Sequence, residues 1–568
     1  MWLIRKRATI GVGLIFLLLL GVFGRLIQLQ VVEHERWLAQ AAGAQERILV
    51  QQHPRGRIYD RNGVLLAADV LTRSIALDTY HLEEPEALLS ILSRHLGLSR
   101  ESLREKFQRK TYFTWIKRKV DLATAEKIRQ EMEEAGARGL IFIEEWQRVY
   151  PQGELASNVL GFAGIDGQGL EGMELACDPL LRGEPTELKL VRAGDGTVIA
   201  RRVLRPGRPG YDLVLTLDAR IQHLAEEKIT WGVERFRAKD GFIIVMDPYT
   251  GELLALAQAK RYDLNRFDRS SPEERLNLAV SWPFEPGSVL KVFVALAALE
   301  AGVVAPGERF SGNEPLRLAG HLFHNAQNRS YGWVTLRDII RLSINTGMIR
   351  VALRLGEDRL RDYLARLGFG RLTGVGLPGE VPGTLRPVEE WSGIDIGAVA
   401  IGQSLAVTGI QLARAGAALA NGGWLVQPRL IKEIRGEAQA RVRARGSCSA
   451  QRPHQARRIA SPENIDLLRE MMRAVVESGT GTKAKLEGFD VAAKSGTAQK
   501  ALPGLGYVPG RYISSFLGFF PADRPRFLIL VVLDEVGVEP FWGGHTAGVV
   551  FRELAERLID LENLSPKE

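Results

Sequence analysis

The sequence predicts an α+β protein with an N-terminal transmembrane helix followed by two domains outside the membrane. An uncharged, apolar stretch lies close to the N-terminus, and the composition changes to Arg, Pro and Gly around 201–210, as at a domain boundary. Beyond that point, short apolar runs alternate with helical patterns, which favours a mostly antiparallel sheet flanked by helices, with a helical subdomain between. A chain of 568 residues is long enough for two or three domains.

The first predicted element is a membrane anchor over residues 8–32. Ala8–Gly24 carries no charge, and Arg25 can extend to the membrane surface so that the apolar run continues to Val32. Basic residues occupy positions 5–7, so the positive-inside rule keeps residues 1–7 in the cytoplasm and exports the rest of the chain. No small-x-small cleavage site follows closely, so we expect a retained anchor rather than a removed signal peptide.

The region after the anchor predicts the elements of the first domain. Glu33–Gln51 is polar and helix-prone, which favours a stalk that continues the membrane helix. Asn62-Gly63 lies between apolar runs and signals a hairpin turn, and residues 82–136 show the pattern of amphipathic helices. The glycines of Gly161–Glu174 indicate tight turns and close backbone approach. This stretch lacks the spacing of a phosphate-binding loop, so a structural role is favoured.

The second domain is predicted to combine strands with helices at both of its ends. The predicted elements are a strand at Asp212–Leu217, a helix at Ala219–Arg235, strands at Phe242–Met246, Leu253–Ala257, Ile513–Phe520 and Phe527–Leu533, and a helix from about Val549 to Leu561. A further apolar run, Val491–Ala493, leads into Lys494. The arginine-rich stretch 435–458 predicts a surface loop.

Composition limits the classes of function. The hydrophobic fraction of 45% suits a folded protein, and the net charge of +8 is spread along the chain. A positive charge that is distributed along the chain is more typical of a protein at an anionic membrane surface than of a nucleic-acid-binding protein. Cys177 and Cys448 have no metal-ligand spacing, and the sequence leaves open whether they pair. Nothing in the sequence indicates a metal or an organic cofactor.

The segment Phe284–Lys291 predicts the nucleophile of an acyl transfer. Pro286-Gly287 reads as a turn that leads into a helix, and Ser288 lies in the first turn of that helix, where exposed backbone N–H groups favour negative charge. Lys291 follows one helical turn later, on the same face as the serine hydroxyl. Its amine can accept the serine proton if desolvation lowers the amine's pKa.

An isolated Ser-x-x-Lys is common by chance, but two further motifs follow in order. Ser343-Ile344-Asn345 comes first, and Lys494-Ser495-Gly496-Thr497 then follows on an apolar strand pattern, the arrangement of a penicillin-recognising serine enzyme. Together with Arg55–Ala67, Arg148–Glu174 and Gly402–Thr408, these motifs resemble the class B penicillin-binding proteins, peptidoglycan D,D-transpeptidases. The resemblance runs from the anchor to Val550. Within the class the chain resembles the division type more than the elongation type, because Gly161–Glu174 lacks a longer insertion and no repeat domain follows the last helix.

The resemblance implies a fold and a division into domains. Residues 33–209 would form an elongated α/β pedestal, a domain of the dimerisation type. Residues 210–568 would form the penicillin-binding transpeptidase domain, whose antiparallel sheet flanked by helices is like that of serine β-lactamases.

The resemblance also implies roles for the catalytic residues. Ser288 would attack the carbonyl between the two terminal D-alanines of a stem peptide, and Lys291 would accept its proton. Ser343 would relay the proton to the leaving D-Ala, and Asn345 would hydrogen-bond the substrate's peptide. Lys494 would supply positive charge that holds Ser343 and the substrate carboxylate.

The third motif is also implied to bind the substrate. The hydroxyls of Ser495 and Thr497, on either side of Gly496, would bind the carboxylate, and the backbone N–H groups of Ser288 and Thr497 would form the oxyanion hole. The family usually has Lys-Thr-Gly where this chain has Lys-Ser-Gly. Serine keeps the hydroxyl but loses the methyl group that helps to fix its rotamer, so we expect looser binding of the carboxylate with the same role.

The sequence is consistent with several interpretations of the function. The leading one is septal cross-linking of stem peptides, with β-lactams as covalent inhibitors, and with a polytopic membrane glycosyltransferase and other divisome proteins as partners. The catalytic domain would lie outside the cytoplasmic membrane, in the periplasm or its equivalent. The alternatives are an elongation-type transpeptidase, a non-catalytic divisome scaffold, and a β-lactam hydrolase or sensor. A scaffold would not need the intact motifs, and a secreted hydrolase would need neither the anchor nor the pedestal.

Overall fold

The computed structural model describes residues 2–37, 46–192, 198–436, 448, 456–502 and 506–566. The chain forms two compact units. Residues 1–54 and 183–210 belong to the first, and residues 55–182 and 211–568 belong to the second.

The first unit contains the predicted membrane anchor. An α-helix spans Trp2–Ile27 and continues as a π-helix through Gln28–Val32. Of the residues that the structure describes, this segment is the one helix that is long and apolar enough to cross a membrane. None of its side chains is buried, as expected for a helix whose apolar surface faces lipid.

A three-stranded antiparallel sheet is the other part of the first unit. Its strands are Glu46–Gln51, Thr186–Arg192 and Val198–Arg205, with Thr186–Arg192 in the centre. The predicted helical stalk over 33–51 is therefore wrong for Glu46–Gln51. The strand contains the consecutive apolar residues Ile48, Leu49 and Val50, two of them β-branched, and cross-strand pairing such as Leu49 with Leu188 outweighs the helix propensity of the polar residues around them. Residues 38–45 lie outside the described part of the chain.

The N-terminal part of the second unit builds a mixed sheet with helices packed on it. Of the six strands that the described residues give this sheet, four are Ile58–Tyr59, Leu65–Leu77, Thr114–Val120 and Leu140–Val149, and the other two are Asp212–Leu215, parallel to Ile58–Tyr59, and Ile431–Arg435. The main helices of this part are Pro85–Leu96, Arg100–Gln108 and Leu122–Glu134. The predicted hairpin turn is confirmed, because the Asp60 carboxylate accepts the backbone N–H groups of Asn62 (2.8 Å) and Val64 (2.7 Å). The helices predicted within 82–136 are confirmed except at Thr114–Val120, which is a strand paired with Leu65–Leu77.

Buried charges hold the glycine-rich stretch of this region in place. Glu174 is fully buried, and its carboxylate accepts hydrogen bonds from Arg55 Nη2 (2.7 Å) and Arg148 Nε (2.6 Å). Arg148 also donates to Asp69 (3.2 Å). The predicted close approach of the glycines is confirmed at Gly161, where an added Cβ would lie 2.0 Å from the backbone oxygen of Glu171.

A five-stranded antiparallel sheet, the central sheet, organises the C-terminal part. Its strands in spatial order are Leu253–Gln258, Asp240–Met246, Phe527–Asp534, Gly506–Phe520 and Ala492–Leu502. The predicted antiparallel arrangement is confirmed. The strand predicted at Asp212–Leu217 covers Asp212–Leu215 and lies in the mixed sheet described above, between Ile58–Tyr59 and Ile431–Arg435.

Successive side chains along the strands of the central sheet point to opposite faces, so the core of this part has two layers. Ile243 and Val245 pack with the helices Ala219–Arg235 and Ala547–Glu562. Phe242, Ile244 and Met246 point to the opposite face, as the two-residue period of a strand requires, and pack with a helical subdomain. The helices of this subdomain are Lys291–Glu300, Leu336–Leu342, Asn345–Leu355, Glu357–Arg366, Asp395–Ala400, Gly409–Ala420 and Pro462–Ser478.

Cys177 and Cys448 form a disulfide bond, which answers a question that the sequence left open. Both residues are buried in the main core. The predicted surface loop at 435–458 lies largely outside the described residues, which include only 435, 436, 448 and 456–458 of this stretch.

Candidate active site

Ser288 lies in a tight turn that leads into a buried helix. The turn Gly287–Leu290 is of the 3-10 type and passes directly into the helix Lys291–Glu300, whose apolar residues lie in the core. Gly287 has a φ of 55°, which a residue with a side chain rarely adopts, and an added Cβ would lie 2.7 Å from the backbone oxygen of Thr497. The turn therefore holds the serine at the end of a rigid element, against the strand that carries the third motif.

The Lys291 side chain is completely buried and is the centre of the site. Its Nζ lies 3.1 Å from Ser288 Oγ, 2.6 Å from Asn345 Oδ1 and 2.7 Å from the backbone oxygen of Ser343. Burial, together with the nearby charge of Lys494, holds the pKa of the Lys291 amine well below its usual value. A neutral amine that donates to the two carbonyl oxygens has its lone pair free to accept a hydrogen bond from Ser288.

Ser343 lies between the two buried lysines. It ends the helix Leu336–Leu342 in a left-handed conformation with φ of 59°, and this turn points its hydroxyl into the site. Ser343 Oγ is 3.2 Å from Lys291 Nζ and 3.0 Å from Lys494 Nζ. Asn345 begins the next helix and is fixed by a 2.7 Å hydrogen bond from its Nδ2 to the backbone oxygen of His324.

The third motif lies on the edge strand of the central sheet. Ala492–Leu502 pairs on one side with Gly506–Phe520, and its other side pairs with no strand in the described part of the chain. Gly496 allows this strand to approach the nucleophile turn, since an added Cβ would lie 2.8 Å from Val289 Cγ2 and 2.3 Å from Ser515 Oγ. The open edge leaves backbone groups beside Ser288 available for an added peptide strand.

Lys494 is the second buried lysine of the site. Its Nζ donates to Ser343 Oγ and to the backbone oxygen of Ser495 at 2.8 Å. Burial lowers the pKa of Lys494 to about 7. Ser495 Oγ shares a 2.7 Å hydrogen bond with Thr480 Oγ1, and Thr497 Oγ1 accepts the backbone N–H of Gly543 at 3.0 Å.

Family models match almost the whole chain outside the anchor. A model of the penicillin-binding protein dimerisation domain matches residues 50–215, and a model of the penicillin-binding protein transpeptidase domain matches residues 241–556. The chain belongs to the class B penicillin-binding proteins. With one membrane-length apolar helix among its described residues, it is a single-pass membrane protein that carries a β-lactam-binding transpeptidase domain.

Individual relatives and solved structures agree with this assignment. The chain is 34% identical to the probable peptidoglycan D,D-transpeptidase PenA of Neisseria meningitidis, over 97% of this chain and 92% of the relative. It is 28% identical to the peptidoglycan D,D-transpeptidase FtsI of Escherichia coli, over 98% and 91%. The crystal structure of penicillin-binding protein 3 from Mycobacterium tuberculosis in complex with aztreonam superposes with a TM-score of 0.70 at 29% identity, over 92% of this chain and 98% of that one.

The structure of this class B penicillin-binding protein brings the predicted catalytic residues together. Hydrogen bonds link Ser288 to Lys291, Lys291 to Ser343 and Asn345, and Ser343 to Lys494. Sequence reasoning missed Thr480, which binds Ser495, and Gly543, whose N–H binds Thr497. The alternation of glycine and hydroxyl residues in Ser478–Thr482 was the signal that could have pointed to Thr480.

The backbone strain at Ser343 can be measured with a pair of variants. Ser343→Gly and Ser343→Ala both remove the hydroxyl, but only glycine adopts the left-handed conformation without a steric penalty. We expect Ser343→Gly to be more stable than Ser343→Ala by about 1 kcal/mol in urea unfolding. Equal stability of the two variants would mean that the turn is not strained.

Proposed function

We propose that this protein cross-links peptidoglycan stem peptides, through an acyl-enzyme on Ser288 and with release of the terminal D-Ala. The observation that carries the proposal is the 3.1 Å contact between Ser288 Oγ and the fully buried amine of Lys291, in a chain of hydrogen bonds that continues through Ser343 to Lys494. A non-catalytic scaffold would gain nothing from two buried lysines, because each amine costs free energy to desolvate.

The first half of the reaction would form the acyl-enzyme. Lys291 accepts the proton of Ser288 Oγ while this oxygen attacks the carbonyl between the two terminal D-alanines. The lowered pKa of the Lys291 amine suits it to act as this base, because a larger fraction of the amine is unprotonated than in an ordinary lysine. As the C–N bond breaks, Ser343 relays a proton to the amine of the leaving D-Ala. Its position within 3.2 Å of both lysines supports this role.

The donor peptide would bind along the edge strand 492–502. The Ser495 and Thr497 hydroxyls and the positive charge of Lys494 would hold its terminal carboxylate, and Asn345 would hydrogen-bond its peptide group. The backbone N–H groups of Ser288 and Thr497 would form the oxyanion hole, a type of contact worth about 3 kcal/mol per donor. The close packing of Gly287 against the Thr497 backbone supports this assignment.

The second half of the reaction would transfer the acyl group to an amine of a neighbouring stem peptide. The amine attacks the ester carbonyl, a C–N bond forms and the bond to Ser288 Oγ breaks. The proton that the amine loses returns to Ser288 by way of Lys291.

We also propose a place for the protein in the cell. Residues 1–7 would form a cytoplasmic tail, 8–32 the anchor in the cytoplasmic membrane, 33–209 the pedestal and 210–568 the transpeptidase domain outside this membrane. The basic residues before the anchor support this orientation. The Cys177–Cys448 disulfide supports it independently, because disulfides persist mainly outside the reducing cytosol.

The proposed cellular role is septal cross-linking. The absence of a longer insertion in the sequence of Gly161–Glu174 supports the division type over the elongation type. The partners in this role would be a polytopic membrane glycosyltransferase and other divisome proteins, contacted through the anchor and the pedestal.

Intact mass spectrometry of the detergent-solubilised full chain with a penicillin tests the activity. We expect a persistent adduct of one drug molecule on the wild-type protein and none on Ser288→Ala. Rapid loss of the adduct with turnover of the drug would indicate a hydrolase, and no adduct on the folded protein would indicate a scaffold. Depletion in cells tests the role, since filamentation without septa is expected and loss of rod shape would contradict it.

A further inference from the structure

A loop over residues 312–332 lies beside Asn345, and the mechanism proposed above assigns no role to it. The loop leads from the strand Arg309–Ser311 to its antiparallel partner Trp333–Thr335. It reaches the site through the backbone oxygen of His324, which accepts the 2.7 Å hydrogen bond from Asn345 Nδ2. The position of the loop therefore affects the direction in which the Asn345 amide points.

The orientation of the Asn345 amide determines what the base of the reaction meets. An amide has a donor end and an acceptor end. With Nδ2 on the His324 oxygen, Oδ1 points at Lys291 and lies 2.6 Å from its Nζ. A reversed amide would turn its N–H groups towards the amine and remove one of the two carbonyl oxygens to which the amine donates. The His324 oxygen therefore helps to direct the lone pair of Lys291 at Ser288.

The helix Asn345–Leu355 is capped by a side chain from this loop. The first backbone N–H groups of a helix need acceptors, and Ile344, which precedes this helix, has an apolar side chain that supplies none. Asn325 Oδ1 accepts the backbone N–H of Thr346 at 3.0 Å and the Thr346 hydroxyl at 3.2 Å. Asn325 follows His324 in the chain, so one short segment fixes both the start of the helix and the amide of its first residue.

The Asn325 side chain is itself held from all sides. It is only 3% exposed, and its Nδ2 donates to the backbone oxygens of Gly312 (3.0 Å) and Arg329 (2.8 Å). The Glu314 carboxylate accepts the backbone N–H of Asn325 at 2.7 Å and lies 3.3 Å from His324 Nδ1. A buried amide that uses both of its donors and both lone pairs of its oxygen is fixed in one orientation.

We propose that Asn325 is a positioning residue for the acylation of Ser288. It caps the helix that begins with Asn345, and it places the carbonyl that turns the Asn345 amide towards Lys291. Glu314 supports Asn325 by accepting its backbone N–H. Asn325 acts on the reaction only through Asn345. This inference rests on the proposed function, because it assumes that Lys291 is the base for Ser288.

A double-mutant cycle in the full-length protein tests this role. The second-order rate constant of acylation by a fluorescent penicillin is measured for the wild type, Asn325→Ala, Asn345→Ala and the double variant. We expect Asn325→Ala to lower the wild-type rate constant by about 10- to 100-fold, as for a positioned group that shifts by about 1 Å. In the Asn345→Ala background the same change should lower it by less than about threefold, because the positioned amide is already absent.

A conservative variant separates the cap from the rest of the Asn325 contacts. Asn325→Asp keeps an acceptor for the two Thr346 donors and places a negative charge at a helix N-terminus, where it is favourable. It cannot donate to the two backbone oxygens, so it should be less stable than the wild type. We expect it to be acylated at least about fivefold faster than Asn325→Ala, the effect of one retained hydrogen bond. Equal rates of the two variants would overturn the capping role.

A second buried asparagine gives the control for a loss of stability alone. Asn158 Nδ2 also donates to two backbone oxygens, those of Glu274 (2.6 Å) and Leu276 (3.1 Å), in the N-terminal part of the second unit. Asn158→Ala should be less stable than the wild type, but its folded fraction should be acylated at the wild-type rate.

A second variant keeps the cycle usable if Asn325→Ala does not fold. Glu314→Ala removes the carboxylate that binds the backbone of Asn325 and should lower the rate constant by about fivefold, as for the loss of one hydrogen bond. This loss should also disappear in the Asn345→Ala background.

The outcomes separate the failure of this inference from the failure of the proposed function. A loss of rate that is equally large with and without the Asn345 amide overturns the positioning role, and so does a folded Asn325→Ala that is acylated at the wild-type rate. In both cases the acylation of Ser288 in the wild type still supports the transpeptidase. If the wild type is not acylated by penicillin, the proposed function fails and the positioning role fails with it.

Discussion

Replacement of Lys291 by methionine is expected to slow the acylation of Ser288 by penicillin by about 10³- to 10⁴-fold. The thioether fills the buried space of the lysine chain but cannot accept a proton, so Ser288 loses the base that lies 3.1 Å from its hydroxyl. The second-order rate constant, measured with a fluorescent penicillin, is the quantity to compare. Lys127→Met, at an exposed position of the helix Leu122–Glu134, should acylate at the wild-type rate. A loss of less than tenfold in Lys291→Met would assign the proton transfer to another group.

The pH dependence of the same rate constant distinguishes the two buried lysines. The wild-type rate should rise with pH as Lys291 loses its proton, at a pH well below the usual range of a lysine because burial lowers its pKa. It should fall again above about pH 7, where Lys494 becomes neutral and no longer attracts the carboxylate of the drug. In Lys291→Met the rising limb should disappear. A wild-type rate that rises up to pH 10 would mean that Lys291 keeps an ordinary pKa.

The contact between Ser288 and Lys291 could be predicted because the local spacing of the two residues determines where their side chains point. Ser288 and Lys291 are three residues apart, and a helical turn places both on one face whatever the rest of the chain does. The contact of Ser343 with Lys494 spans 151 residues, and no local pattern determines it. It was predicted only through the resemblance to a family with the same three motifs. Thr480 was missed because its hydrogen bond with Ser495 depends on how a loop returns to the sheet.

The errors in the predicted fold also arise from contacts between residues that are far apart in sequence. Glu46–Gln51 and Thr114–Val120 carry charged residues typical of helix surfaces, and both form strands because each pairs with a partner strand. Glu46–Gln51 pairs with Thr186–Arg192, more than 100 residues away in sequence. Pairing of this kind adds cross-strand contacts that local propensity does not include. The strands Asp240–Met246, Leu253–Gln258 and Phe527–Asp534 of the central sheet were predicted correctly because they are buried on both faces and form continuous apolar runs in the sequence.

Replacement of Glu174 by glutamine is expected to destabilise the second unit by about 3–5 kcal/mol. Glutamine has almost the same shape, but it removes the one negative charge that lies between Arg55 Nη2 (2.7 Å) and Arg148 Nε (2.6 Å). Each arginine keeps one other carboxylate partner, Asp178 for Arg55 and Asp69 for Arg148. The amide would also direct N–H donors towards a guanidinium group, so the buried cluster would carry excess positive charge with unmatched donors.

The size of this effect depends on burial, and an exposed ion pair gives the matched control. Glu126 is half exposed and pairs with Arg129 one helical turn away, so Glu126→Gln should change the free energy of unfolding by less than about 1 kcal/mol. Urea unfolding of both variants, followed by tryptophan fluorescence, measures the difference. The folded fraction of Glu174→Gln should still be acylated by penicillin, because none of the catalytic contacts involves this cluster. If the two variants were equally stable, the buried cluster would contribute no more than a surface ion pair, and the glycine-rich stretch around Gly161 would have to be held by its backbone contacts alone.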